Sequence, residues 1–351
     1  MSSADPSLND AQLSSFKDAL GAHFNPASHS DALLVRFLKA RSFNLELAKT
    51  MFINWREWYA REGVDDIVAN FAFHEHADLR KIYPKSAHKT DKQGRLLLFE
   101  QFGKLDATEF FQITTLDRIS KLEIREAEKL ELYRFAACSK AAGKVVDKVV
   151  VVMDVKDYPF MQFYRIQGLI SMIANINSNY HPETLGQVLV INAPYLFSAV
   201  WSVIVNIIPA DTASKCKILG ADYQAALLEI VSPENLPAMY GGTCECPGGC
   251  NYADVGPWND GTVEGYPDTF WEGFAQRDMD AQAAVLAAKM AEAGVVKPAA
   301  AKRGSIASLK ERFSRKGSLA GPIPSVEGNN STPRKSVTES IEEEDVFVDA
   351  E

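Results

Sequence analysis

The spacing of apolar residues changes twice along the chain. In the first part, apolar side chains recur every three to four positions, as on one face of an amphipathic helix. The segment DALLVRFLKARSF, residues 31–43, shows this spacing clearly, and Ser30 stands where an N-cap is expected. Asn44 is suited to cap the next helix and Gly63 to end it. We therefore predict an N-terminal all-α lobe over residues 1–75.

Beyond residue 75 the pattern favours strands that alternate with helices. Four short runs are strongly apolar, as in strands buried on both faces: residues 95–99, 145–155, 187–191 and 216–219. Three segments between and after them have helical spacing: residues 115–135, 163–177 and 224–230. This alternation predicts an α/β fold with a mostly parallel sheet, which we assign to residues 76–245.

The C-terminal quarter has a different composition. Residues 246–295 combine Gly, Pro, Trp and Asp with an Ala-rich helix that we expect to begin near Met279, so we predict a wrap and a helix. Residues 296–351 contain few large apolar side chains and many Ser, Lys, Pro and Gly. Because such a segment cannot bury enough apolar surface to offset the entropy of ordering, we predict a disordered tail.

One apolar segment, residues 195–208, does not fit the strand pattern. It is fourteen residues long, whereas a membrane-spanning helix needs about 18–20 apolar residues, so we do not expect it to cross a bilayer. The polar residues Glu183, Thr212 and Lys215 lie on either side of it in the sequence. We interpret the segment as a gating helix beside a polar site. The predicted gate residues are Tyr195, Phe197, Val200, Trp201, Ile204 and Ile208.

Composition and charge narrow the class of protein. The chain of 351 residues is 46% hydrophobic and 24% charged, and its formal net charge is −9. A negative balance disfavours binding to nucleic acid. The N-terminal residues are polar and lack the apolar run of a signal peptide. We therefore expect a cytoplasmic protein that associates only peripherally with intracellular membranes.

Sequence signatures of enzymes are missing. The chain contains no G-x-G-x-x-G, no Walker loop, no G-x-S-x-G and no H-E-x-x-H motif. The basic residues Arg36, Lys39 and Arg41 lie off the apolar stripe of their helix, which by itself favours a solvated face. We expect a binding protein, without catalytic residues.

Three cysteines cluster in GGTCECPGGC, as Cys244, Cys246 and Cys250. A thiolate metal site and a Gly-rich turn with small packed thiols are both open. The turn is favoured because the segment has no fourth cysteine and no nearby histidine, and C-x-C is not a usual zinc spacing. We therefore expect no metal.

A series of motifs resembles the CRAL-TRIO lipid-binding family, specifically its yeast-type phosphatidylinositol/phosphatidylcholine transfer proteins. LLVRFLKARSFNLELAKTMF resembles the N-terminal helical lobe of the family, and IYPKSAHKTDKQGRLLLFEQFG resembles the entry into its lipid domain. YRFAACSKAAG, VVMDVKD, NYHPETLGQVLVINAPYLFS, ASKCKILG and PENLPAMYGGTC follow in the family's order. The resemblance covers residues 31–244 and implies an apolar pocket, floored by the sheet and closed by the gating helix.

The resemblance also implies a headgroup site for phosphatidylinositol. Carried over residue by residue, this site consists of Arg41, Glu183, Thr212 and Lys215. Two neighbouring basic residues of the family are missing, because Ser42 follows the arginine and Thr184 follows the glutamate. The site keeps its core and loses positive charge.

The family's phosphatidylcholine site is altered further. Its members hold the choline headgroup with two tyrosines, a serine and a threonine, and the corresponding residues here are Ala87, Leu98, Val149 and Val151. A buried choline phosphate without hydrogen-bond partners would cost several kcal/mol, so we expect no phosphatidylcholine in this mode. The second ligand is then an apolar lipid such as a sterol. Alternatively, the four changes only tighten the core around the acyl chains of phosphatidylinositol.

Two functions follow as hypotheses. The first is a monomeric phosphatidylinositol transfer protein that exchanges this lipid for an apolar one, touches membranes transiently and presents its lipid to membranes or lipid kinases. Its only bound cofactor would be a phospholipid. The alternative is a lipid-sensing interaction module that recruits a partner. Replacing Lys215 by alanine would distinguish the two. It should abolish phosphatidylinositol transfer in the first case and leave partner binding intact in the second.

Overall fold

The chain is described by a computed structural model over residues 10–292. Its N-terminal lobe consists of four helices whose ends follow from local sequence. The Ser30 hydroxyl accepts a hydrogen bond from the Leu33 N–H, and the Asn44 side chain accepts one from the Leu47 N–H, so both predicted caps are confirmed. Gly63 ends its helix in the left-handed region, at φ 65°. The helices are α1 (Asp10–Leu20), α2 (Asp31–Ala40), α3 (Leu45–Glu62) and α4 (Val64–Asn70).

Strands and helices alternate after this lobe, as the sequence predicts. The strands are β1 (Lys85–Thr90), β2 (Leu96–Glu100), β3 (Val149–Asp154), β4 (Leu185–Ile191), β5 (Cys216–Ile218) and β6 (Asp254–Val255). The helices are α5 (His76–Ile82), α6 (Ala107–Ile113), α7 (Leu116–Lys129), α8 (Phe135–Ala142), α9 (Phe163–Tyr180), α10 (Phe197–Ile204), α11 (Ala210–Ser214), α12 (Gln224–Ile230) and α13 (Thr269–Glu292).

The strands form one mixed sheet in the order β5-β4-β3-β2-β1-β6. Only β1 and β2 run antiparallel, as the two arms of a hairpin, and every other neighbouring pair is parallel. The predicted α/β class with a mostly parallel sheet is confirmed.

The two faces of the sheet have different coverings. Alternate residues of β3, Val150 and Val152, are fully buried in a core that includes Leu227 of α12 and Tyr240. Their neighbours Val149, Val151 and Met153 point to the opposite face, because side chains alternate along a strand. That opposite face borders the cavity described below.

Two local predictions are corrected, and a third is not tested. The C-terminal helix α13 begins at Thr269 rather than near Met279. The helix predicted over residues 115–135 is not a continuous α-helix, because residues Leu130–Arg134 between α7 and α8 form a π-helical turn. The predicted tail, residues 296–351, lies outside the described residues. None of the described helices is both long enough and apolar enough to cross a membrane.

Candidate functional site

A cavity of about 860 Å³ lies over one face of the sheet. Its walls include side chains of α7, α9 and α10, and alternate residues of β3 border it. A volume of this size is at the upper end of the range of roughly 300–1,000 Å³ that is typical of ligand pockets. The cavity therefore has room for a large ligand.

Five strands contribute one residue each to a row across the cavity floor. Cross-strand pairing joins Ala87 to Leu98, Leu98 to Val151, Val151 to Val188, and Val188 to Cys216. All five residues border the cavity, and none carries a hydroxyl. We call this row the floor.

The four positions that correspond to the family's choline site lie together in three dimensions. Ala87, Leu98 and Val151 are consecutive members of the floor. Val149 lies two residues along β3 from Val151, on the same face, and also borders the cavity. The predicted apolar patch is therefore one continuous surface.

The four predicted headgroup residues border the same cavity, although they come from three separate stretches of the chain. Arg41 stands at the C-terminal end of α2, Glu183 follows α9, and Thr212 and Lys215 belong to α11 and its end. The Lys215 Nζ lies 3.9 Å from Glu183 Oε2. We call these four residues the rim.

Two further charged residues contact the rim and were not identified from the sequence. The Lys148 Nζ donates to Glu183 Oε2 at 2.9 Å, and the Lys215 Nζ lies 2.6 Å from Asp211 Oδ2. Asp211 stands four residues before Lys215 on a helix, a spacing that could have identified it. Lys148 comes from the start of β3, and only the strand pairing brings it to Glu183.

The turn that carries Glu183 is held in a conformation that few side chains adopt. Glu183 has φ 62°, in the left-handed region. Such residues are strained and cluster at functional sites. The Thr184 hydroxyl donates to the carbonyl oxygen of His181 at 2.9 Å. Thr184, which stands where the family has a basic residue, therefore stabilises the turn instead of adding charge to the rim.

The helical lobe anchors this turn through stacking and a buried ion pair. The rings of Trp58 and Tyr180 stack 4.0 Å apart. The His181 Nδ1 lies 3.0 Å from Glu131 Oε1, and the other oxygen of Glu131 pairs with Arg36 of α2. Glu131 lies in the π-helical turn, a feature that occurs often at functional sites. Arg36 is 7% exposed, so its predicted solvated position is wrong.

Charges around His181 shift the pKa values of this cluster. Burial would raise the pKa of Glu131, but Arg36 and His181 together lower it to about 2. Burial acts against a charged imidazole, yet Glu131 raises the pKa of His181 above its ordinary value. Burial, reinforced by Glu131, raises the pKa of Glu128 to about 7 although His181 opposes it. Glu128, Glu131 and His181 thus form a compact titratable cluster, which we call the anchor.

The predicted gate is a helix followed by a turn. Five of its six predicted residues border the cavity: Phe197, Val200, Trp201, Ile204 and Ile208. Val200 and Ile204 also pack against the core that contains Phe163 and Leu169 of α9. Tyr195 is 95% exposed and does not border the cavity. The segment therefore has one apolar side toward the cavity and another toward solvent.

One end of the cavity carries charges that pair with each other. The Tyr83 hydroxyl donates to Glu100 Oε2 at 2.6 Å, and Lys85 Nζ lies 3.2 Å from both Glu100 and Glu123. The hydroxyl of Tyr83 and the ammonium of Lys85 are therefore already engaged by carboxylates.

The cysteine cluster has a partner that the sequence did not reveal. His88 of β1 lies beside Cys244, Cys246 and Cys250, and the four ligand atoms are all within 4.8 Å of one another. The sequence shows no histidine near the cysteines, but the fold brings one beside them. The histidine is more than 150 positions away in sequence, and only the packing of the C-terminal segment on β1 brings it close.

Comparison with known proteins agrees with this architecture. Residues 81–242 match the CRAL/TRIO domain, and residues 13–54 match the CRAL/TRIO N-terminal domain. The Sec14 cytosolic factor of Schizosaccharomyces pombe is 41% identical over 230 residues, which cover 66% of this chain and 80% of that protein.

A plant protein and a solved structure are also similar. The phosphatidylinositol/phosphatidylcholine transfer protein SFH11 of Arabidopsis thaliana is 38% identical over 257 residues, covering 72% of this chain and 68% of that protein. The crystal structure of Sfh5 has a TM-score of 0.54 and 15% identity, covering 77% of this chain and 91% of that one. At this identity the likeness concerns the fold alone.

Proposed function

The chain belongs to the CRAL/TRIO domain family, and on that premise we propose that it is a phosphatidylinositol transfer protein. It binds one lipid at a time in its gated cavity and exchanges it between membranes without covalent chemistry. Similar proteins are named as phosphatidylinositol/phosphatidylcholine transfer proteins, which supports lipid transfer as the general activity.

The observation that carries the proposal is the convergence of the four rim residues on one cavity. A cationic Arg41 and Lys215 suit the phosphate of the lipid, because charge-assisted hydrogen bonds to phosphate are strong. The Thr212 hydroxyl can donate to the same group, and Glu183 can accept hydrogen bonds from inositol hydroxyls. The apolar floor then receives the acyl chains.

The second ligand in this proposal is an apolar lipid such as a sterol. The floor residues Ala87, Leu98 and Val151 and the adjacent Val149 carry no hydroxyl, so a choline phosphate placed there would lose its hydrogen bonds to water without replacement. A mostly hydrocarbon ligand has no such loss and gains from every apolar area that it buries.

Membrane contact in this proposal occurs through the outer side of the gate. Tyr195 is 95% exposed, Leu196 72% and Val203 41%, which is unusual for neighbouring large apolar side chains. Tyrosine and leucine at such positions insert readily into the interface of a bilayer. The protein acts as a monomer, visits membranes from the cytoplasm, and presents phosphatidylinositol to lipid kinases.

The test is a transfer assay with labelled phosphatidylinositol between donor and acceptor vesicles. Lys215→Ala removes a charge-assisted contact worth roughly 1.5–3 kcal/mol, so transfer should fall by tenfold or more. The matched control is Lys217→Ala, which removes the same charge from an exposed residue two positions away that does not border the cavity. Equal transfer by both variants would refute the proposed headgroup site.

A further inference from the structure

Four potential metal ligands converge at the edge of the sheet, away from the rim. The Nε2 atom of His88 lies 3.5 Å from Cys244 Sγ and 3.4 Å from Cys246 Sγ, and the two sulfurs are 3.8 Å apart. Cys250 completes the group, with all four ligand atoms within 4.8 Å. His88 and Cys250 are buried, and the other two cysteines are half-buried.

These spacings resemble the edges of a zinc tetrahedron. With Zn–S bonds of about 2.3 Å and Zn–N bonds of about 2.0 Å, adjacent sulfurs are about 3.8 Å apart and sulfur and nitrogen about 3.5 Å apart. We propose that His88, Cys244, Cys246 and Cys250 bind one structural zinc ion. This departs from the expectation of no metal.

The local sequence explains how three cysteines so close in the chain can bind one ion. Gly248 and Gly249 both have positive φ, 80° and 94°, and together they reverse the chain after Cys246. The reversal returns Cys250 to Cys246, whose backbone N–H donates to the Cys250 sulfur at 3.3 Å. An N–H directed at a sulfur suits a thiolate ligand.

The pairing of β1 with β6 places the histidine beside the cysteine segment. His88 pairs with Val255 of β6 in the parallel register, so the strand that continues from the cysteine segment runs beside the one that carries the imidazole. The His88 ring is fully buried, and its Nδ1 has no hydrogen-bond partner among the described residues. Its Nε2 faces the thiols, as coordination through that atom requires.

Zinc explains this group better than a disulfide does. A disulfide requires two sulfurs about 2.05 Å apart, whereas those of Cys244 and Cys246 are 3.8 Å apart and all five cysteines are free. Three thiolates and one imidazole form a standard donor set for structural zinc, which is tetrahedral and takes all its ligands from protein. The Cys250 thiol, which otherwise donates to the Cys244 carbonyl oxygen at 3.2 Å, would exchange its proton for the metal.

The ion would fix residues 243–255, which we call the strap, against β1. Directly after the cysteines, the strap reaches the cavity at Tyr252 and Asp254. Asp254 pairs with Lys129 at 3.3 Å and with Arg134 at 3.0 Å. A zinc ion at the cluster would therefore hold in place a part of the cavity wall that has little regular secondary structure of its own.

The experiment is metal analysis of the full chain, purified with a thiol reductant and without chelators. We expect about one zinc per chain by elemental mass spectrometry. His88→Ala and Cys246→Ser should each lower the zinc content at least threefold. The matched control Cys138→Ala alters a cysteine of α8 outside the cluster and should retain the metal.

A second measurement uses the unaltered chain, so it does not depend on how the variants fold. After removal of metal, one equivalent of Co²⁺ should give the visible spectrum of a tetrahedral thiolate site, and Zn²⁺ should abolish it. Adding zinc should also raise the Tm of the metal-depleted chain. The proposal would be overturned by a purified chain that contains no zinc and gives no tetrahedral cobalt spectrum. A disulfide among the three cysteines in the freshly purified protein would also overturn it.

Discussion

The rim and the floor of the cavity differ in how their polar groups are supported. At the rim, Glu183 lies within reach of Lys148 and Lys215, and buried charges anchor the turn that carries it. The floor, only a few residues away along the same strands, is a row of five side chains without a hydroxyl. One cavity therefore combines a charged entrance with an apolar base.

This difference indicates how one fold can keep one ligand and change another. A charged group at the rim can form charge-assisted hydrogen bonds to the lipid phosphate, so in the proposed function its loss would weaken phosphatidylinositol binding. A polar headgroup at the floor needs a complete set of partners, because burial without them costs several kcal/mol. In the proposed function, the absence of hydroxyls from the floor therefore changes the second ligand, while the rim that would bind phosphatidylinositol is kept.

The largest effect is expected from restoring the floor. Ala87→Tyr, Leu98→Tyr, Val149→Ser and Val151→Thr together should give transfer of phosphatidylcholine at least tenfold above the unaltered protein, because they supply hydroxyls at the choline positions. Transfer of both phospholipids between vesicles is the measurement.

The matched control for this variant alters the other face of the same strand. Val150→Ser with Val152→Thr introduces the same serine and threonine hydroxyls into the core under α12, and neither position borders the cavity. This control should lower stability without giving phosphatidylcholine transfer. If the four-residue variant also fails to transfer phosphatidylcholine while it still transfers phosphatidylinositol, the proposed role of the floor is wrong.

The anchor behind the rim should respond to pH. The pKa of Glu128 is raised to about 7 in the folded state, so the unfolded chain loses this proton at lower pH than the folded chain does. The free energy of unfolding therefore falls as pH rises from about 4.5 to 7. Glu128→Gln should therefore reduce the loss of unfolding free energy between pH 5 and pH 8 by on the order of 1–3 kcal/mol. Denaturant unfolding across this range measures it.

The pH dependence of the unfolding free energy that remains in Glu128→Gln should come from His181. Its pKa is raised in the fold, so its contribution is present below about pH 6.5 and is lost as pH rises through the folded value. Glu57→Gln, at an exposed position on α3, is the control and should leave the profile unchanged. A profile for Glu128→Gln identical to that of the unaltered chain would show that Glu128 is not the titrating group.

The smallest effect is expected outside the cavity, on the gate. Tyr195→Asp with Leu196→Asp should weaken binding to anionic vesicles about threefold to tenfold, because two exposed apolar side chains no longer insert. Vesicle co-sedimentation measures this. Leu286→Asp changes another exposed leucine, on α13, and should bind as the unaltered chain does. Equal binding by all three proteins would remove the gate from the membrane contact.

Features set by a few neighbouring residues could be predicted from the sequence. The caps at Ser30 and Asn44, the stop at Gly63 and the buried strand β3 all depend on local patterns. Family resemblance supplied the four rim positions and the four positions of the choline site, and all eight residues border one cavity.

Features that depend on packing between distant segments could not be predicted. Arg36 is polar and off the apolar stripe, but the fold buries it against Glu131, ninety-five positions away. Lys148 meets Glu183 only through the pairing of β3 with β4, and His88 meets the cysteines only through the strap. Polarity alone does not tell which charges a fold will bury, because burial depends on partners that are remote in sequence.

The most direct test of the difference between rim and floor is mass spectrometry of the lipids that co-purify with the unaltered protein. Phosphatidylinositol should be bound, together with a population that carries an apolar lipid such as a sterol, and phosphatidylcholine should not be enriched. Phosphatidylcholine bound in amounts comparable to phosphatidylinositol would contradict the account, because the floor would then hold a choline headgroup without the hydroxyls.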